Sequence, residues 1–130
     1  MIVDSSAIVA VLLDEPERGA FLEAIRSAPQ AAMSAVSCTE VGVVLDGRRN
    51  GVLSRQYDVL LEELGVTVLD VTAGQARVAR EAYRDFGRGS GHPARLNFGD
   101  CFSYALAAER DEPLLFKGDD FGHTDVRRAV

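Results

Sequence analysis

Cysteine, histidine and lysine are all scarce in this 130-residue chain, and each shortage excludes something. The two cysteines, Cys38 and Cys101, stand far apart with no Cys or His near either one. That is neither zinc-site spacing nor a disulfide framework. Each lies in an apolar helical stretch and reads as a buried free thiol. His92 and His123 are isolated from other soft ligands, and they give no Ser-His-Asp arrangement. No apolar run approaches the roughly 20 residues that cross a bilayer. Met1 leads straight into Ile2-Val3 and an acid, with no basic leader or cleavage site, so the expectation is a soluble cytoplasmic protein. Thirteen of the 14 basic residues are arginine, which suits bidentate contact with phosphate or an acidic partner and equally suits a GC-rich genome.

An excess of basic charge is also missing: the formal net charge is −6. By itself this argues against nucleic acid, whose partners usually present a basic surface. The positions of the acids matter more than their sum. Setting aside Asp4, Glu40, Asp100, Asp119 and Asp120, the rest of the chain is nearly neutral.

What is present is enough apolar material, 47 %, for one packed core, so residues 1–130 read as a single domain. Short apolar runs alternate with amphipathic stretches. Ile2-Val3 predicts a strand and Ser6 to Leu13 a helix. Pro16 opens a second helix, as proline at a first helical position often does. Ala31 to Met33 is a short buried strand. Val36 to Arg49 is a helix, stopped near Asn50-Gly51. A further helix carries Tyr57, Leu60, Leu61 and Leu64 and ends at Gly65, and Val66 to Val71 is strand-like. Ala76, Ala79, Tyr83 and Phe86 mark the core face of the next helix, and Gly87 to Pro93 is a glycine-rich loop lacking the features of a P-loop. Phe98 to Glu109 is an almost wholly apolar helix, and Pro113 to Phe116 the last strand. This alternation implies an α/β fold of three layers, a mainly parallel sheet flanked by helices. Sites in such sheets lie beyond the carboxyl ends of the strands.

The acids fall at those ends. Asp4 follows the first strand, Glu40 lies early in the helix after the second, Asp100 begins the apolar helix, and Asp119-Asp120 follow the last strand. Carboxylates gathered at one edge repel one another, and a divalent cation removes the penalty. Hard oxygen ligands suit Mg²⁺ or Mn²⁺ rather than zinc. Cations held in this way serve phosphodiester hydrolysis by acidifying a bound water and steadying the leaving oxygen. Each acid also has a local explanation. Asp4 could N-cap the first helix. Ser37-Cys38-Thr39-Glu40 fits a capping box, Asp100 suits a helix dipole, and Asp119-Asp120 suit a turn.

The same residues resemble a family. Met1 to Ala10, with an acid followed by hydroxyl residues, is similar to the start of a PIN domain, and Ser34 to Glu40 to its second motif. His92 to Ala108 and Leu114 to Asp125 resemble the VapC toxins of type II toxin–antitoxin systems. The resemblance implies a PIN-like fold and a Mg²⁺- or Mn²⁺-dependent endoribonuclease, silenced by a VapB-type antitoxin. It also implies a homodimer and a toxin–antitoxin hetero-oligomer. It assigns catalysis to Asp4, Glu40, Asp100 and a fourth acid. Asp119 is favoured there over Asp120, and either could join Asp4 and Asp100 on the metal. Glu40 ligates or positions the attacking water, and Ser6 supports the first acid.

Arg88, His92 and Arg95 in the loop are candidate RNA contacts, as is Lys117, which could meet the scissile phosphate or pair with an acid. Arg77, Arg80 and Arg84 read as a solvated helix face. Ile8, Val11, Leu12 and Leu13 could meet a partner helix or simply pack in the core. Two rival functions remain. One is a phosphatase resembling the haloacid dehalogenases, echoed by Ser37 and Lys117-Gly118-Asp119-Asp120, although Ser6 stands where that class needs a second aspartate. The other is a binding module that keeps the fold without the chemistry.

Overall fold

Successive residues of a strand face opposite sides of its sheet, and here both sides are buried in three of the four strands. The computed structural model describes residues 1–130 and contains four strands and six α-helices. In chain order they are β1 (Ile2–Val3), α1 (Ser5–Leu12), α2 (Arg18–Ser27), β2 (Ala31–Ser34), α3 (Ala35–Asp46), α4 (Gly51–Glu63), β3 (Val66–Leu69), α5 (Ala73–Phe86), α6 (Phe98–Arg110) and β4 (Leu114–Leu115). A 3₁₀ turn follows at Asp120–His123.

All strand pairs are parallel, in the order β3-β2-β1-β4. Val3, Met33 and Leu115 point into a core shared with α1 to α4, where Ile8, Phe21, Ile25, Leu45 and Tyr57 meet them. Ile2, Ala32 and Leu114 point the other way, into a core shared with α5 and α6. The three layers expected from the alternation of elements are therefore present. A parallel sheet covered on both faces explains why its strands read as unbroken apolar runs.

Several boundaries differ from the sequence reading. Pro16 lies in the turn before α2, whose first helical residue is Arg18. Strand β3 stops at Leu69, because Asp70 to Thr72 form the entry to α5, with Thr72 accepting a hydrogen bond from the Gln75 amide. Helix α3 ends at Asp46, ahead of a turn through Arg49, and Asn50 caps α4, its side chain accepting from the Val52 amide. Gly65, at φ +63°, takes the left-handed turn that closes α4.

The face of α5 is also rotated. The buried residues are Gln75, Ala79 and Ala82, whereas Ala76 and Tyr83 are exposed. Small residues let α5 approach α6 closely, and buried Gln75 is satisfied by the Glu109 carboxylate. No helix is long and apolar enough to cross a membrane.

The strand order places the topological switch between β1 and β4: the chain steps outward from β1 to β2 and β3, then returns to β1's other side. Open parallel sheets bind ligands beyond the carboxyl ends of the strands at such a point.

Candidate active site

Asp4 emerges from β1 at this switch and is almost fully buried, at 1 % exposure. It is the N-cap of α1, as one of its two sequence readings holds. Its Oδ2 accepts from the Ser6 amide at 2.9 Å and from the Ser6 hydroxyl at 2.6 Å. Ser6 Oγ in turn accepts from the Lys117 amide at 3.0 Å, tying the start of α1 to the segment after β4. The other oxygen, Oδ1, accepts from Ser103 Oγ of α6 at 2.6 Å. Ser103 lies 2.9 Å from Ser37 Oγ of α3, and both hydroxyls are fully buried.

Glu40 sits in the second turn of α3. The capping box expected from Ser37 to Glu40 is absent: Ser34 is the N-cap of α3, its hydroxyl accepting from the Val36 amide, and Ser37 faces α6 instead. The Glu40 carboxylate accepts from Ser5 Oγ at 2.6 Å. It lies over Gly99 so closely that a Cβ there would fall 2.5 Å from both its oxygens.

Asp100 is buried in the first turn of α6. With Asn97 it forms a reciprocal capping box: its Oδ2 accepts from the Asn97 amide at 2.7 Å while Asn97 Oδ1 accepts from its own amide at 2.8 Å. Burial pushes its carboxyl up to about 7, against the lowering effect of the Asn97 amide, and the charges of Asp4, Glu40 and Asp120 raise it further. Four carboxylates from four regions of the chain therefore share one electrostatic neighbourhood. The fourth is Asp120. Asp119, favoured by the resemblance, makes no such contribution at Asp100, and both residues are exposed.

No three of these side chains are drawn into the spacing of a formed metal cage. Asp4, Glu40 and Asp100 each lean on their own hydroxyl or amide donors. The donor set itself fits a hard divalent cation: oxygen ligands only, none of them in an ion pair with Lys or Arg, and unused acceptor capacity on Asp4 Oδ1 and Asp100 Oδ1.

The expected RNA contacts are distributed differently. Lys117 is committed to Glu15 at 2.7 Å and Glu17 at 3.3 Å, away from the four acids. His92 Nδ1 accepts from the Ala94 amide at 3.2 Å and its ring packs edge-on against Phe86, so it shapes the loop. Arg88 and Arg95 are exposed, with Arg88 Nε donating to the Arg95 carbonyl. Ser5, Gly99 and Ser103 are the residues that the sequence reading missed, and Ser37 was read there only as a cap or as a phosphatase hydroxyl. A signal for Ser103 existed: a serine one turn after Asp100 on a helix whose same face is otherwise apolar.

A family model, the PIN domain, matches residues 1–127. The chain belongs to the PIN-domain family. Within it, this PIN domain is similar over its full length to VapC ribonucleases. It is 58 % identical over 130 residues to ribonuclease VapC28 of Mycobacterium tuberculosis, covering all of this chain and 98 % of that one. It is 53 % identical over 129 residues to ribonuclease VapC42 of the same organism, covering 99 % and 98 %. Among solved structures, this PIN domain resembles M. tuberculosis VapC20, a sarcin–ricin loop cleaving toxin, with a TM-score of 0.76 at 19 % identity over 96 % of this chain and 95 % of that one. A toxin–antitoxin complex from Klebsiella pneumoniae aligns with a TM-score of 0.72 at 17 % identity, covering 95 % and 92 %. At those identities the likeness shows the fold.

Proposed function

We propose that this PIN domain is the toxin of a type II toxin–antitoxin pair, an endoribonuclease that hydrolyses RNA phosphodiester bonds with Mg²⁺ or Mn²⁺. The observation that carries this reading is the meeting of Asp4, Glu40, Asp100 and Asp120 at the β1/β4 switch point, with Asp100 under the field of the other three. Full-length similarity to VapC ribonucleases supports it. Asp4, Asp100 and Asp120 would hold the cation, with Glu40 beside them. When bound, the cation supplies a water of lowered pKa and charge stabilisation at phosphorus.

The protein's own contribution is to hold the ligands in place. Ser6 and Ser103 fix both oxygens of Asp4, Asn97 fixes one oxygen of Asp100, and Ser5 holds Glu40, which can accept a proton from an attacking water or orient it. Arg88 and Arg95 are the exposed cations left to meet RNA phosphates. The phosphatase rival needs Lys117 among the acids, and Glu15 and Glu17 hold it elsewhere.

The antitoxin would take a different surface. A groove of about 450 Å³ between α1, α2 and α4 is lined by Val11, Leu12, Val52, Val59 and Leu60, with Arg55 beside them. An amphipathic helix with acids flanking its apolar stripe fits such a groove. Ile8 is wholly buried in the core and Leu13 does not line the groove, so of the apolar set on and just after α1 only Val11 and Leu12 reach it.

The deciding experiment is cleavage of a fluorogenic RNA by purified protein with Mn²⁺ or Mg²⁺, with EDTA, and with Asp4→Asn prepared identically. Cleavage by wild type alone, lost in EDTA, is expected. Equal cleavage by Asp4→Asn would overturn the assignment.

A further inference from the structure

The bonds around Asp4 leave its two oxygens in different states. A carboxylate oxygen offers two lone-pair positions. Oδ2 fills both, one with the Ser6 amide and one with the Ser6 hydroxyl. Oδ1 fills one, with Ser103 Oγ. The remaining acceptor position of Asp4 is therefore on Oδ1, and the group that fixes the direction of that oxygen is Ser103.

The polarity of the chain behind it follows. Ser103 has a single hydroxyl proton, and a carboxylate can only accept, so that proton points to Asp4. The contact between Ser103 and Ser37 must then run the other way, with Ser37 donating. Hydrogen bonds aligned head to tail in a dry interior polarise and strengthen one another. The three groups come from three elements, α3, α6 and the end of β1, and all are at most 1 % exposed, so no water competes with them. Apolar packing alone would be better served by alanine at 37 and 103. A pair of hydroxyls aimed at a carboxylate has an orienting role.

We propose that Ser103, backed by Ser37, is a positioning residue that aims Oδ1 of Asp4, the one oxygen of that carboxylate with room for a cation. The proposal rests on the metal-site reading above. Partners that orient metal ligands typically matter by about 10- to 100-fold in metal affinity.

The test uses the purified full chain and Mn²⁺ alone, titrated by calorimetry, with Ser103→Ala, Ser37→Ala, the double variant and Asp4→Asn. Thermal unfolding of each metal-free protein runs alongside. Ser103→Ala is expected to weaken Mn²⁺ binding about tenfold. Ser37→Ala should weaken it less, because Ser37 acts through Ser103. The double variant should bind like Ser103→Ala, since Ser37 has nothing left to support. Independent, additive losses would overturn the relay. So would wild-type affinity in Ser103→Ala beside weak binding in Asp4→Asn, a result that leaves the metal site standing. Wild-type affinity in Asp4→Asn would instead sink the site itself. Should Ser103→Ala fail to fold, Ser37→Ala carries the test: a folded Ser37→Ala with unchanged affinity overturns the proposal.

Discussion

Replacing Gly99 by alanine should separate stability from activity. The added Cβ would lie 2.5 Å from both Glu40 oxygens and 2.7 Å from the carboxyl carbon, distances that real Cβ atoms essentially never show. Ordinary contact requires roughly 3.5 Å, so the carboxylate must retreat by about 1 Å. It is the end of a flexible side chain on a half-exposed position, and the retreat costs the fold little. Alanine meanwhile gains up to about 1 kcal/mol of helix propensity over glycine. The melting temperature should hold or rise. Catalysis should not survive as well, because the retreat breaks the Ser5 bond and moves Glu40 off its position, and a displacement of about 1 Å in a reacting group can cost on the order of 100-fold. Gly42→Ala is the matched control, being helical with nothing within 4 Å of its added Cβ. Fluorogenic RNA cleavage and thermal unfolding of the three proteins make the comparison. A stable Gly99→Ala that cleaves like wild type would refute the role given to Glu40's position. An unfolded one would show that the backbone, and not Glu40, absorbs the clash.

Three further outcomes are expected. Burial holds the Asp100 carboxyl above its unfolded value, up to about 7, so this group favours the fold at low pH and that contribution is lost as pH rises through 7. Asp100→Asn should therefore stabilise the metal-free protein at pH 8, by at most about 4 kcal/mol, and far less at pH 4, as denaturant melts would show. Asp120→Asn should weaken Mn²⁺ binding about tenfold and Asp119→Asn much less; the reverse ranking by calorimetry would move the fourth ligand to Asp119. Lys117→Ala should barely change the melting temperature, because its pairs with Glu15 and Glu17 are screened by solvent. Cleavage should stay near wild type, and a tenfold drop would return Lys117 to the phosphate.

The three layers and the switch-point location were legible because they depend on the order of elements and on apolar runs, which the chain displays directly. So were Asp4, Glu40 and Asp100 as candidates, since each follows a strand or opens a helix. The competing local explanations turned out to be compatible with the chemistry. Asp4 does cap α1 and Asp100 does complete the capping box of α6, each through Oδ2, with acceptor capacity remaining on Oδ1. What the chain concealed depends on contacts between distant segments. Ser37 looked like a cap because Glu40 lies three residues on, and only the packing of α3 against α6 turns it toward Ser103. Tyr83 looked like core because hydrophobicity marks the face, whereas the close approach of α5 to α6 selected Ala79, Ala82 and a satisfied Gln75. The choice between Asp119 and Asp120 rests on one residue of turn geometry after Gly118, whose φ is +95°.

The position of β1 between β2 and β4 has a consequence for the cell that makes this protein. Asp4 leaves the ribosome first, yet its neighbours at the site come from α6 and the segment after β4, and Ser6 is tied to Lys117. A nascent chain that stops before Leu114 has the first carboxylate but neither the strand that flanks it nor the acid at 120. Long-range pairing of this kind forms late. The acids can therefore gather only once the chain through Asp120 has been made.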